Sequence, residues 1–174
     1  MTVLIAYGTV EGQTAKIARF INDVTREAGY ETRLINTGDQ TRHVSLADVD
    51  RIILAAPVHE RRHPKEFEAF VESQKDAFET RKSLVLSVSL KAAFAKGQED
   101  AWDYLTELLM RTHFDPDETA LVAGAVRPDS YGYFEEEIVQ HVVLKDQKID
   151  PRDGAREFTD WDALKATVVA FLNK

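Results

Sequence analysis

A short apolar run in this chain is followed at once by Gly8-Thr9-Val10-Glu11-Gly12-Gln13-Thr14 and then by an amphipathic stretch. Glycines and hydroxyl residues in such a loop leave main-chain N–H groups free to converge on an anion, and a helix beginning near Gln13 adds its positive N-terminal dipole. Phosphate is the anion this chemistry suits. The same residues also suit a plain turn, with Gly8 and Gly12 shaping it and Thr14 capping the helix, and the loop alone leaves the two readings level. Other phosphate motifs fit poorly: no Gly-Lys-Ser/Thr closes the loop, and the glycine spacing is not that of a dinucleotide fingerprint. A phosphoacceptor receiver domain needs acidic residues after the first strand and an aspartate closing the third, where this chain has Tyr7-Gly8-Thr9 and Ala56-Pro57.

A second group with chemical potential is His59, Arg61, Arg62 and His63. Either histidine could exchange a proton near neutral pH, although structural or surface roles are the commoner fate of each. Their spacing of four would pair them for a metal on a helix, but Pro64 interrupts any helix through both, so no metal site is expected. No side chain stands out as a catalytic acid or base. His59, Arg61 and Arg62 are the weak candidates.

The elements that must position these groups alternate along the chain. Strand-like runs are expected at Thr2 to Tyr7, Glu31 to Asn36, Arg51 to Ala56, Ser83 to Ser89 and Ala120 to Val126. Helical periodicity places Ile17, Ala18, Ile21 and Val24 on one face of Gln13 to Ala28, with Gly29 as the stop. Phe67, Phe70, Val71 and Phe78 form the stripe of a helix over Pro64 to Phe78. Ala101, Trp102, Leu105, Leu108 and Leu109 do so for Gln98 to Thr112, and Leu164, Val168, Phe171 and Leu172 for Trp161 to Leu172. Alternation of this kind builds a doubly wound parallel sheet of five strands with helices on both faces. In the order 2-1-3-4-5 the ligand crevice falls between the first and third strands, beyond their C-terminal ends. One domain over residues 1–174 is expected, with a long irregular segment at about 127–159 between the fifth strand and the last helix.

Composition narrows the function. The 174 residues are 44% hydrophobic and 30% charged, an ordinary globular mixture. There is no cysteine, which removes disulfides, thiolate metal sites and a cysteine nucleophile, so redox chemistry would need a cofactor. A formal net charge of −8 argues against nucleic-acid binding. The chain enters a strand without a signal-like segment and has no membrane-length apolar stretch, so a soluble cytoplasmic protein is expected.

Ile5-Ala6-Tyr7-Gly8-Thr9-Val10-Glu11-Gly12-Gln13-Thr14, followed by Ala18 and Ile21, resembles the flavodoxin signature, with only Ala6 outside the usual residue choice. More narrowly, Glu11 to Thr14, Asp50-Arg51-Ile52-Ile53-Leu54, Ser87-Val88-Ser89-Leu90, Ala123-Gly124-Ala125-Val126-Arg127 and Thr159-Asp160-Trp161 resemble the menaquinone-dependent protoporphyrinogen dehydrogenases. The resemblance implies an FMN cofactor, its phosphate on the loop Thr9, Val10, Glu11, Gly12, Gln13 and Thr14. It places the flavin ring between Pro57 to His63 and Ser89 to Ala95, with Pro57, Val58, His59, Ser89 and Leu90 in contact. Gly8 stands where a hydroxyl residue often opens the phosphate loop, and neither ring loop carries the Tyr or Trp that sandwiches many flavins. That implies weaker binding, or a cover for the ring supplied by Tyr131 and Tyr133.

On that reading the cofactor edge gathers Arg61, Arg62, Lys65, Lys91, Lys96 and Arg127 on an otherwise acidic chain. A positive charge ~8 Å from the ring would favour the reduced anionic flavin by about 2 kcal/mol at an effective dielectric near 20. Two-electron chemistry follows, and carboxylates such as those of a porphyrinogen could dock there, although loop cations are more often simply solvated. The expectation is therefore an FMN-dependent dehydrogenase passing electrons from a reduced small molecule to a quinone-like acceptor. The alternative is a flavodoxin-type carrier that docks to a redox partner protein, and a further one is an interaction module that has lost its flavin. Glu135-Glu136-Glu137 at the head of the amphipathic patch Phe134 to Leu144 would repel anionic lipid, so stable membrane attachment is not expected. The apolar residues Ile138, Val139, Val142, Val143 and Leu144 suit packing on the domain or on a second copy in a homodimer.

Overall fold

In strand β1 (Thr2–Tyr7), Val3 and Ile5 face one side of a sheet while Leu4 and Ala6 face the other, and all four are fully buried. A strand with both faces apolar needs a helical layer on each side, and the computed structural model, which describes residues 1–39, 44–126 and 156–174, supplies both. Helices α1 (Gln13–Glu27) and α4 (Trp161–Leu172) cover the Val3 and Ile5 face. Helices α2 (Lys65–Phe78) and α3 (Gln98–Thr112) cover the opposite face. The parity is kept in β3 (Arg51–Pro57), where Ile53 and Ala55 join the first core and Ile52, Leu54 and Ala56 the second.

With β2 (Glu31–Asn36), β4 (Lys82–Ser89) and β5 (Glu118–Ala123), these strands form one parallel sheet in the order β2-β1-β3-β4-β5. This is the flavodoxin-like arrangement expected from the alternation. The strand order reverses between β1 and β3, so the loops leaving those two strands open beside one another, and Gly8 N–H bonds Ala55 C=O at 3.0 Å. Gly29, with φ of 89°, ends α1 and donates to Arg26 C=O. Among the described residues, no helix is long and apolar enough to cross a membrane.

Three expectations change. Trp102 does not join the inner stripe of α3. It is 45% exposed, while the stripe runs through Ala101, Tyr104, Leu105, Leu108 and Thr112, and Trp102 stands about 100° round the helix from Ala101. The fifth strand is not continuous to Val126. Gly124 N–H makes the last bond of the parallel ladder, to Ser89 C=O at 3.0 Å, and beyond it β6 (Ala125–Val126) pairs antiparallel with β7 (Arg156–Glu157). Of the segment expected to be irregular as far as Thr159, Arg156–Glu157 form β7, and residues 127–155 lie outside the described residues. Arg127, Tyr131, Tyr133 and Phe134 to Leu144 lie outside the described residues.

Candidate functional site

The loop after β1 is built around Gly12, whose φ of 93° lies in the left-handed region that glycine tolerates. Its N–H donates to Thr9 Oγ1 at 3.1 Å, which closes the loop on itself. The first bond of α1 runs from Lys16 N–H to Gly12 C=O at 3.1 Å, so the N–H groups of Thr14 and Ala15 stand ahead of the helical ladder. Thr14 is only 1% exposed, and its Oγ1 finds no partner among the described residues. A buried hydroxyl without a partner costs about 1–3 kcal/mol unless a ligand answers it. Helix dipole, leading N–H groups and an unanswered hydroxyl therefore meet at one point, and the set fits an anion such as a phosphate ester. Val10, at 51% exposure, lies on the open side of the loop.

Gly8 turns out to serve packing. A Cβ there would stand 3.3 Å from Phe67 Cβ and 3.5 Å from Pro64 Cγ, so the missing side chain lets α2 approach β1.

The Gln13 side chain has partners of its own. Its Nε2 donates to Glu157 Oε2 at 3.0 Å and to Thr159 Oγ1 at 3.1 Å, directing the amide toward the return strand. Glu157 also accepts from Lys16 Nζ at 2.6 Å and from Trp161 Nε1 at 2.9 Å. Partial burial pushes the Glu157 carboxyl up, but the hydrogen bonds from Lys16, Gln13 and Trp161 outweigh it and bring its pKa down to about 2. Thr159, itself buried, donates to Ala123 C=O at 2.6 Å. No spacing signal in the sequence links residues some 145 positions apart.

The loop after β3 leaves Pro57, and Val58 N–H donates to Val88 C=O at 2.7 Å. His59 and Arg62 then bond each other's main chain at 2.8 and 3.0 Å across a tight turn. The two residues between them, Glu60 and Arg61, have φ of 48° and 65° without being glycine. Such strain costs of the order of 1–2 kcal/mol per residue and persists where neighbours over-determine the turn. Those neighbours are visible on both sides. His59 Nδ1 lies 3.4 Å from Glu11 Oε1, tying the turn to the phosphate-type loop. Arg62 grips the buried Glu68 of α2 with Nε at 3.2 Å and Nη2 at 2.5 Å, and Arg111 Nη1 reaches the same carboxylate at 3.3 Å. At the foot of this loop His63 is 2% exposed, with Nε2 2.9 Å from Ser87 Oγ. Burial lowers its pKa to about 4, so it stays neutral near pH 7 and anchors the loop rather than serving as the proton donor considered from sequence.

The loop after β4 begins at Ser89, whose Oγ accepts from Ala92 N–H at 3.1 Å, and passes through Leu90 into a short turn at Lys91–Ala93. Phe94 follows. Its ring packs edge-on against Phe158 at 5.3 Å, and Arg156 lies over Phe158 at 5.0 Å. Attention to Tyr and Trp alone passes over Phe94, the aromatic residue this loop does carry.

The basic rim is smaller than the sequence implies. Arg62 is spent on Glu68, and Lys91 pairs with Asp100 at 2.8 Å. Arg61, Lys65 and Lys96 remain exposed, and Arg127 lies outside the described residues. A cavity of about 180 Å³ lies between β5 and α4, against Ala120, Val122 and Leu164, and reaches the loop after β4 at Ala92.

A family model described as a flavodoxin domain matches residues 4–153. Protoporphyrinogen IX dehydrogenase (quinone) of Escherichia coli strain K12 is 24% identical over 164 residues, which is 93% of this chain and 90% of that protein. Oxidised Flavodoxin 2 from Bacillus cereus superposes with a TM-score of 0.59 at 18% identity, covering 99% of each chain. A flavodoxin from Pseudomonas aeruginosa gives 0.54 at 14% identity over 100% of each chain. At such identities the two structures speak for the fold alone. The family match covers the phosphate-type loop, β1 from Leu4 onward and the other four strands of the sheet, and by it the chain belongs to the flavodoxin domain family.

Proposed function

We propose that this protein binds FMN in the three loops described and works as a flavodoxin-type electron-transfer protein. The observation that carries the reading is Thr14 Oγ1, buried without a partner at the head of α1 beside the left-handed Gly12. Thr9, Val10, Glu11, Gly12, Gln13 and Thr14 would form the phosphate end, with Pro57, Val58, His59, Ser89 and Leu90 beside the ring. When bound, FMN supplies the redox-active ring that takes up and releases electrons. The chain's own part is to hold the phosphate without a committed cation, since Lys16 is already paired with Glu157, and to fix the turn at Glu60 and Arg61 against the site. Commitment of Arg62 and Lys91 to carboxylates weakens the electrostatic case for a dedicated substrate pocket and favours the carrier.

A second reading has one specific observation in its favour, the relative from Escherichia coli that aligns over 93% of the chain. On it the protein oxidises a porphyrinogen and delivers the electrons to a quinone-like acceptor, with Arg61, Lys65 and Lys96 receiving carboxylates. Titration of the purified chain with FMN, followed by visible absorbance, tests both readings at their root, because failure to take up flavin refutes them together. Anaerobic mixing of the FMN-loaded protein with protoporphyrinogen IX then separates them. Flavin bleaching selects the dehydrogenase. Lack of bleaching, with electron exchange to a redox protein, selects the carrier.

A further inference from the structure

From β7 the chain continues through Phe158 to Thr159, and successive side chains contact opposite neighbours. The odd positions turn toward α1, where Glu157 accepts from Gln13 and Lys16, and Thr159 accepts from Gln13 while donating to Ala123 C=O. The even positions turn toward the loop after β4, where Phe158 packs on Phe94 and Arg156 lies over Phe158. The main chain is pinned between them, because Phe158 N–H donates to Gly124 C=O at 3.0 Å and β7 pairs with β6. Gln13 and Thr159 are 6% and 8% exposed, so their mutual hydrogen bond is shielded from competing water.

We propose that this four-residue segment, Arg156 to Thr159, is a two-sided clasp, in which Glu157 and Thr159 position the phosphate loop through Gln13 while Phe158 positions the ring loop through Phe94. These are positioning residues. The proposal rests on the FMN reading and adds to it a division of labour, in which one side of the segment sets affinity for the phosphate and the other sets affinity for the ring. Thr159 is the cleanest handle on the first side. Its hydroxyl joins Gln13 to the end of β5, and a valine there keeps the shape while removing both hydrogen bonds. Glu157 is a poorer handle, since its loss would also release the Lys16 cation beside the site.

The test compares FMN with riboflavin, which lacks the phosphate, by quenching of flavin fluorescence in the flavin-free full chain. Thr159→Val is expected to weaken FMN binding roughly three- to tenfold, the range of one or two neutral hydrogen bonds, and to leave riboflavin affinity unchanged. Thr159→Ser, which retains the hydroxyl, is expected to restore FMN affinity. Phe158→Leu is expected to weaken FMN and riboflavin by the same factor. The clasp is overturned if Thr159→Val weakens the two ligands alike or affects neither, or if Phe158→Leu acts on FMN alone. Failure of the wild-type chain to bind FMN at all would instead remove the underlying reading, and the clasp with it.

Discussion

Lowering the pH from 7 to 4.5 is expected to cost the fold about 2 kcal/mol through His63 alone. The folded pKa of this group is about 4 against an ordinary 6.5, because the ring is buried beneath the loop after β3. Nearby Glu68 pulls the value up and Arg111 pulls it down, but burial dominates both. The unfolded chain therefore binds the proton more readily than the folded one. The contribution is complete above pH 6.5, is lost as the pH falls through that value toward 4, and is constant below. Each pH step inside the window is worth up to about 1.4 kcal/mol, and the full gap about 3 kcal/mol. Urea denaturation of the wild type and of His63→Gln at pH 7.0, 5.5 and 4.5 isolates the effect, since acid losses from other groups are common to both chains and cancel in the difference. The variant should be less stable at pH 7 and should close on the wild type by about 2 kcal/mol at pH 4.5. Parallel curves would refute the reasoning. Because His63 ties the ring loop to Ser87, flavin affinity of the wild type is expected to fall in the same window.

Thr14→Val removes a hydroxyl that has no partner in the ligand-free fold, so it should leave the flavin-free protein as stable or more stable by about 1 kcal/mol while weakening FMN; equilibrium denaturation and a flavin titration read the two effects separately. Gly12→Ala forces an L side chain to φ of 93° and should cost roughly 1–2 kcal/mol in a thermal melt, with a larger loss in FMN affinity than Thr14→Val because the whole loop shifts. Glu68→Ala leaves Arg62 and Arg111 without their shared carboxylate and should lower the urea midpoint, a loss softened because both guanidiniums reach solvent. Gly97→Ala would drive a Cβ into Lys91 C=O, so the loop after β4 must rearrange; an altered visible spectrum of bound flavin is the measurement.

The sequence by itself determined the layers and pointed to the place of the candidate site. Runs such as Val3 to Ala6 and Ile52 to Ala56, apolar at every position, demand a helix on each face, and the 3.6-residue stripes of four helices supply it. Such local periodicities need no knowledge of the rest of the chain, and with the crossover rule they lead to the strand order and to the crevice after β1 and β3. The candidate phosphate loop could be pointed to for the same reason, since its glycines and hydroxyl residues stand together in one short stretch. Tertiary structure alone decided which charges remain available. Arg62 and Lys91 looked like a basic rim until Glu68 and Asp100 came within reach, and His63 looked like a proton carrier until burial beneath the loop made it neutral. It also decided the partners of Gln13. Hydrogen bonds between residues 13, 157 and 159 depend on the last crossover bringing β7 back beside α1, and no local pattern encodes that return.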